Sequence, residues 1–386
     1  MADGLLNKAS IILTPTGYKA GTLYNVAPID EPYEDFDFAR TSTATRINSS
    51  GLVSNVATGV PRINYDSNGA NGHILLEPTS TNFLPYSNDF SQSNWVKQTN
   101  ITPTYNTTET LSPDGTYNAT KLVGNGTDGI YDSSLSITGD VTRSVYLKSV
   151  SGTINVKLKD SNVDIGTETL TVTTEWQRFY LSGDNGTSSQ GIWIDDIPLS
   201  GIYIFGAQVE ALPYATSYIP TLTGSTVTRA TETANGAGSA DLINSTEGVL
   251  YAEIESLVND GTNRYITLTN GTSNERVALL LGGNNNQLRA IIFSATQSLN
   301  ISFDTHLTSS LQFNKLAVRY KSGEYAFYLN GSSIGTDTNS NIFTSNTLND
   351  LSLNVGGGSL PFYGKCKALA VFKEALSDSE LTQLTT

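Results

Sequence analysis

The sequence predicts an all-β protein, two β-sandwich (jelly-roll) domains preceded by an extended, strand-containing N-terminal segment. Three observations predict it. Short apolar runs rich in β-branched and aromatic residues recur between clusters of Gly, Asn, Asp, Ser and Pro, as sandwich strands do. The composition is rich in Thr, Ser, Asn, Gly and Tyr, and long runs of helical periodicity are nearly absent. Asn330-Gly331 stands between Tyr325-Ala-Phe-Tyr-Leu329 and Ser332-Ser-Ile-Gly335, and both residues suit the positive φ of a two-residue type I′ hairpin turn. At 386 residues the chain exceeds one typical domain.

Residues 1–82 form the first segment. Ser10-Ile-Ile-Leu-Thr14 reads as a strand that Pro15, Gly17 and Gly21 then turn. Phe36–Ile47 alternates as strands do, Asn48-Ser-Ser-Gly51 is a turn before Leu52-Val53, and His73-Ile-Leu-Leu-Glu77 is a short strand stopped by Pro78. So few large apolar residues cannot build a thick core, so the segment should lie on a neighbouring domain or a partner. Residues 83–222 form the first sandwich, with strands expected at Ala119–Val123, Val141–Lys148, Ile154–Lys159, Glu168–Val172, Gln177–Ser182 and Ile202–Ala207. In the stretch that follows, Pro213 and Pro220 each remove a backbone donor, so an extended connector leads out of the domain. Residues 231–386 form the second sandwich, with strands at Gly248–Glu255, Arg264–Leu268, Val277–Leu281, Leu288–Phe293 and Asn314–Tyr320, then the Asn330-Gly331 hairpin. Ser377 with Glu380 three residues on reads as the capping box of a closing helix.

The net charge is −14, which argues against nucleic-acid binding, since that needs a basic face. No apolar run approaches the ~20 residues of a membrane span, so no membrane insertion is expected. The start, MADGLLNKAS, has no charged and apolar leader pattern, so no signal peptide is expected. Cys366, the one cysteine, excludes an internal disulfide and is expected to pack as a small apolar residue. His73 and His306 lack companions at ligand spacing, so neither zinc nor a Ser-His-Asp triad is supported. Gly282-Gly283 and Gly356-Gly-Gly358 lack the Lys-Ser/Thr of a phosphate loop and are expected to mark bends.

Several phrases resemble structural proteins of tailed bacteriophages. They are Gly206-Ala207-Gln208, Glu210, Thr216–Thr221 and Val227–Ala230 at the end of the first sandwich. In the N-terminal segment they are Phe38, Arg40, Ala44-Thr45, Gly51–Val53, Val60-Pro61-Arg62, Tyr65, Leu75–Pro78, Asn82, Ser87, Phe90 and Trp95. Thr173–Tyr180 resembles a strand of jelly-roll carbohydrate-binding modules, a likeness that implies a core position for Trp176. The Asn330-Gly331 hairpin, Leu351–Gly358 and Leu376–Leu384 resemble concanavalin A-like, laminin-G-type domains.

These resemblances imply a non-enzymatic virion protein: a fibre, spike or capsid decoration that presents its sandwiches for attachment to host-surface polysaccharide. The N-terminal segment would bind other virion proteins. A homo-oligomer is implied, a trimer being favoured and a dimer the alternative, although no coiled-coil heptads enforce three-fold symmetry. The alternatives are a stand-alone carbohydrate-binding lectin and a polysaccharide-degrading enzyme. Hydrolases on the concanavalin A-like fold carry a Glu-x-Asp-x-x-Glu strand, whereas Glu253-Ile-Glu255-Ser-Leu-Val258 lacks the third acid. The expected glycan-binding residues are Trp95 and Trp193, as stacking platforms, with Asp195 and Asp196 as polar partners. No cofactor is required. The families do allow a structural calcium ion, for which Asp89, Asp114 and Asp304 are loop candidates.

Overall fold

The computed structural model describes residues 5–13, 18–19, 22–23, 35–135, 137–160, 166–184 and 191–386. The turn expected at Pro15, Gly17 and Gly21 lies outside the described residues. The fold class is the one expected: nearly all described structure is strand, with one α-helix at Asp378–Thr385.

The first sandwich packs two five-stranded antiparallel sheets. One runs Val96–Lys97, Ile130–Asp132, Ile192–Asp195, Ile154–Lys159, Thr167–Val172. The other runs Thr102–Thr104, Thr120–Val123, Ile202–Glu210, Asp140–Ser149, Gln177–Asp184. Alternation sends Val145, Leu147, Val156, Leu158, Ile192, Ile194, Ile202 and Ile204 into one core between them. Pro103 sits in an edge strand, where a missing backbone donor costs the ladder nothing.

The second sandwich faces a five-stranded sheet (Leu299–His306, Gln287–Ser294, Glu275–Leu281, Arg264–Thr269, Asp350–Ser352) against an eight-stranded one. The larger sheet runs Ser332–Asp337, Tyr325–Leu329, Asn314–Lys321, Glu247–Ser256, Gly364–Phe372, His73–Leu76, Ile63–Asn64, and Ala9–Leu13 also pairs with Gly364–Phe372. Asn330 (φ 47°) and Gly331 (φ 81°) make the expected turn. Ser377 caps the helix, and its own N–H donates to the Glu380 carboxylate at 2.8 Å. Cys366 is buried, and burial pushes its thiol pKa up to about 12, as suits a packing residue.

The N-terminal segment therefore has no core of its own. Ile11, Leu13, Ile63, Ile74 and Leu76 complete the core of the second sandwich. The hairpin Ala44–Ile47/Val53–Val56 lies over the outer face of the first sandwich, where Val53 packs with Tyr146, Phe205 and Tyr218. Gly51, at φ 75°, closes that hairpin where a Cβ would stand 2.3 Å from the Ser67 carbonyl oxygen. Two further ladders tie the segment to the connector: Ser80–Asn82 with Val227–Arg229, and Phe36–Ala39 with Thr233–Asn235.

At the centre of this junction lie Arg40, Arg62, Arg229, Glu77 and Glu232, with side chains no more than 3% exposed. Glu232 accepts from Arg40 Nη1 at 2.7 Å and from Arg62 Nε at 2.8 Å. Glu77 accepts from Arg62 Nη2 at 2.7 Å and lies 2.8 Å from Arg229 Nη1. The remaining donors go to carbonyls: Arg40 to Ser42 and Ala57, Arg62 to Thr45, Arg229 to Pro78. Neighbouring buried amides and hydroxyls are satisfied in the same way. Asn82 donates to the Ile219 carbonyl at 2.9 Å, Gln208 accepts from the Ile219 N–H at 2.6 Å, and Ser87 lies 2.7 Å from the Tyr218 hydroxyl. Buried charges and amides persist in a protein interior only when so paired.

Candidate functional site

The structure separates the four expected glycan-binding residues. Trp95 is 1% exposed, packs on Phe90 with ring centroids 4.7 Å apart, and donates its Nε1–H to the Tyr86 carbonyl at 3.1 Å. It is a core residue, and the expectation of a sugar platform there is corrected: the indole has no free face.

Trp193, Asp195 and Asp196 do come together. Ile192 and Ile194 point into the core, so alternation puts Trp193 and Asp195 on the outer face of the sheet. Tyr131 pairs across from Trp193, with ring centroids 4.9 Å apart. Lys159 lies opposite Trp193 on the other side, its Nζ 4.4 Å from the ring centroid, and forms an ion pair with Asp195. Lys157 pairs with Asp196 at 2.7 Å. Trp193 Nε1 and Asp195 Oδ1 are shielded from solvent and find no hydrogen-bond partner among the described residues. This is a mixed aromatic and charged face whose acids are already matched by lysines, and Lys159 covers part of the indole.

Trp176 was expected in the core, and here too the structure differs. It follows the Thr167–Val172 strand on the outer side of the sandwich, half-buried against the Tyr146, Phe205 and Tyr218 cluster, and donates Nε1–H to the Leu111 carbonyl at 2.7 Å. It lines a cleft of about 580 Å³. All three parts of the chain build the cleft: Arg46 and Asn64 from the N-terminal segment, Trp176 and Arg178 from the first sandwich, Glu255 and Leu311 from the second. A volume between ~300 and ~1,000 Å³, an aromatic wall and a few converging polar groups are the ordinary make-up of a small-ligand site. The sequence carried no signal for it, because the residues lie far apart along the chain and meet only through the central clamp.

The acids weighed for chemistry are accounted for. Glu255 pairs with Lys365 at 2.5 Å and Glu253 with Lys367 at 3.8 Å, so each carboxylate is matched by a lysine on the adjacent strand. Asp304, a calcium candidate expected in a loop, lies in the Leu299–His306 strand and pairs with Arg289. Asp89 accepts from Ser91 and Gln92, and Asp114 from Ser112, Thr116 and Asn118, which makes both turn-fixing carboxylates. No group of three or more His, Cys, Asp or Glu placed to hold a metal occurs among the described residues. His73 is buried; Nδ1 donates to the Asn71 carbonyl at 2.9 Å, and burial lowers its pKa to about 4. No helix among the described residues is long and apolar enough to cross a membrane.

The fold and these surfaces define a β-sandwich protein with a lectin-type domain. Residues 243–382 match the family model of the concanavalin A-like lectin/glucanases superfamily, in its third laminin-G form. No curated protein matches the chain. Among solved structures it is similar to the carbohydrate-binding module CBM40 of the Ruminococcus gnavus IT-sialidase bound to α2,3-sialyllactose, at 18% identity and a TM-score of 0.34, over 39% of this chain and 94% of that one. It is also similar to domain 4 of AbnA, a GH43 extracellular arabinanase from Geobacillus stearothermophilus, in complex with arabinotriose, at 16% identity and a TM-score of 0.33, over 40% and 73%. Likeness at this level establishes neither a shared site nor a shared ligand.

Proposed function

We propose that this protein is a non-catalytic glycan-binding protein whose binding site is the cleft between the two sandwiches. The observation that carries this reading is the cleft itself, with Trp176 fixed by its bond to Leu111 and polar side chains from all three segments around it. An indole held at one orientation offers a sugar ring an apolar face at little entropic cost. The lysine partners of Glu253 and Glu255 favour binding over hydrolysis, which needs a free carboxylate pair facing one cleft.

A glycan array probed with the full chain tests the reading. Trp176→Ala is expected to weaken the best array ligand by about tenfold or more, since an aromatic platform is a typical hot spot. Trp193→Ala provides the comparison, because Tyr131 and Trp193 also form an aromatic pair on a sheet face. Loss of binding with Trp193→Ala but not with Trp176→Ala would move the site to that face. An array with no ligand would end the glycan-binding reading.

The setting we propose is the virion of a tailed bacteriophage, as a fibre, spike or capsid decoration that attaches to host-surface polysaccharide. What supports it is the resemblance of the phrases around Arg40, Arg62, Glu77, Gln208, Glu210, Tyr218 and Arg229 to phage structural proteins. Two sandwiches clamped by buried ion pairs suit a particle surface, where weak sites gain strength from many copies. A tag on this chain should then be found by electron microscopy on particles purified from the host lysate, at a defined copy number. Tag in the soluble fraction alone would favour a free lectin.

A further inference from the structure

We infer that the ligand of the cleft is an acidic saccharide, a sugar bearing a carboxylate, and that Arg178 is the group that recognises it. This inference rests on the cleft being the glycan site and adds the chemical class of its ligand. The chain as a whole is strongly acidic, at −14, yet the cleft wall is not. Its charged residues are Arg46, Arg178 and Lys365 against Glu77 and Glu255. Glu77 is already held by Arg62 and Arg229, and Glu255 by Lys365. No carboxylate among the described residues lies within ion-pair distance of Arg178.

Arg178 is well placed for recognition. Its Nη1 donates to the Thr216 carbonyl at 2.6 Å and its Nη2 to the Ser144 hydroxyl at 2.9 Å. The guanidinium stands 5.4 Å from the Tyr146 ring centroid. These contacts hold the plane of the group in one orientation without neutralising it, and Nε is shielded and has no partner among the described residues. A cation kept rigid, partly desolvated and unmatched favours an anion, and the planar fork fits a carboxylate. Two residues before Arg178 in sequence, Trp176 supplies the apolar wall for the sugar ring that carries it.

The test is calorimetric titration of the full chain with three probes: trigalacturonate, its methyl ester and a hyaluronate tetrasaccharide. At least one of the two acidic probes should bind with a Kd below ~1 mM, and the ester at least about tenfold more weakly, because a charge-assisted bond is lost. Arg178→Gln should bring the acid down to the level of the ester, and added salt should weaken the acid alone. Because Arg178 also supports the Thr216 carbonyl, Arg178→Lys serves as the second variant. It keeps the charge, loses the fork, and should fall between wild type and Arg178→Gln. Trp193→Ala should bind the acid as wild type does. Equal binding of acid and ester, or no effect of either Arg178 variant in a folded protein, would overturn the inference while leaving the cleft a glycan site. No binding of any of the three would overturn the acidic assignment, and an empty glycan array would remove the site with it.

Discussion

Glu232→Ala should destabilise the protein by about 3–5 kcal/mol, because it strips the carboxylate from two buried guanidiniums at once. Arg40 and Arg62 would keep their bonds to the Ala57 and Thr45 carbonyls but lose their counter-charge in a site closed to water. The effect should be regional as well as global. Amides of the Ala44–Ile47/Val53–Val56 hairpin and the Val227–Arg229 ladder should lose hydrogen-exchange protection before the strands of either sandwich core. A urea midpoint within error of wild type would show that the clamp does not hold the sandwiches together. Acid should act on the same device. Burial alone would raise the Glu77 pKa, but Arg229 and Arg62 outweigh it and lower the value from the ordinary 4.5 to about 2. The folded value lies below the unfolded one, so this stabilisation is complete above about pH 4.5 and is lost as pH falls towards 2. Melting temperature should therefore drop across that window, and less steeply in Glu77→Gln than in wild type.

Trp95→Ala should cost about 3–5 kcal/mol, the usual range for truncating a buried tryptophan. Two losses add here: the contact with Phe90 and the bond from Nε1 to the Tyr86 carbonyl, which would be left without its donor. Because Trp95 lies in the core of the first sandwich, any change in glycan affinity should track the fraction of folded protein. Below its melting point the variant should bind the array ligand as wild type does. A stable Trp95→Ala protein that has lost binding would return the residue to the site from which the structure removes it. The contrast with Trp176→Ala is the sharper for this reason. Trp176 is half-buried on an outer face, so its truncation should take more from binding than from stability.

A stiff junction has a consequence for recognition. The cleft draws on three segments far apart in sequence, so its shape exists only while Arg62, Glu77 and Glu232 hold them in register. Weakening the clamp should weaken binding even though no clamp arginine needs to touch the ligand, because more ordering must then be done at the moment of binding.

What the sequence determined by itself was local. Alternation and turn residues dictated the sandwich strands, Asn330-Gly331 its hairpin, and Ser377 with Glu380 the helix cap, because each depends on neighbours a few residues away. The scarcity of large apolar residues in the N-terminal segment told that it must lean on something else, and Ile11, Leu13, Ile74 and Leu76 do so in the second sandwich. The tertiary structure alone decided which face each tryptophan turns, since period-two alternation says that two faces differ but not which one is covered. It sent Trp95 inward, Trp193 to a sheet face beneath Lys159, and Trp176 to the cleft. It also decided that Arg40, Arg62, Glu77, Arg229 and Glu232 meet, although up to 192 positions separate a bonded pair. Charge and hydrogen bonding act through space, so pairings over such separations are written in the packing of the sandwiches and not in any local pattern of residues.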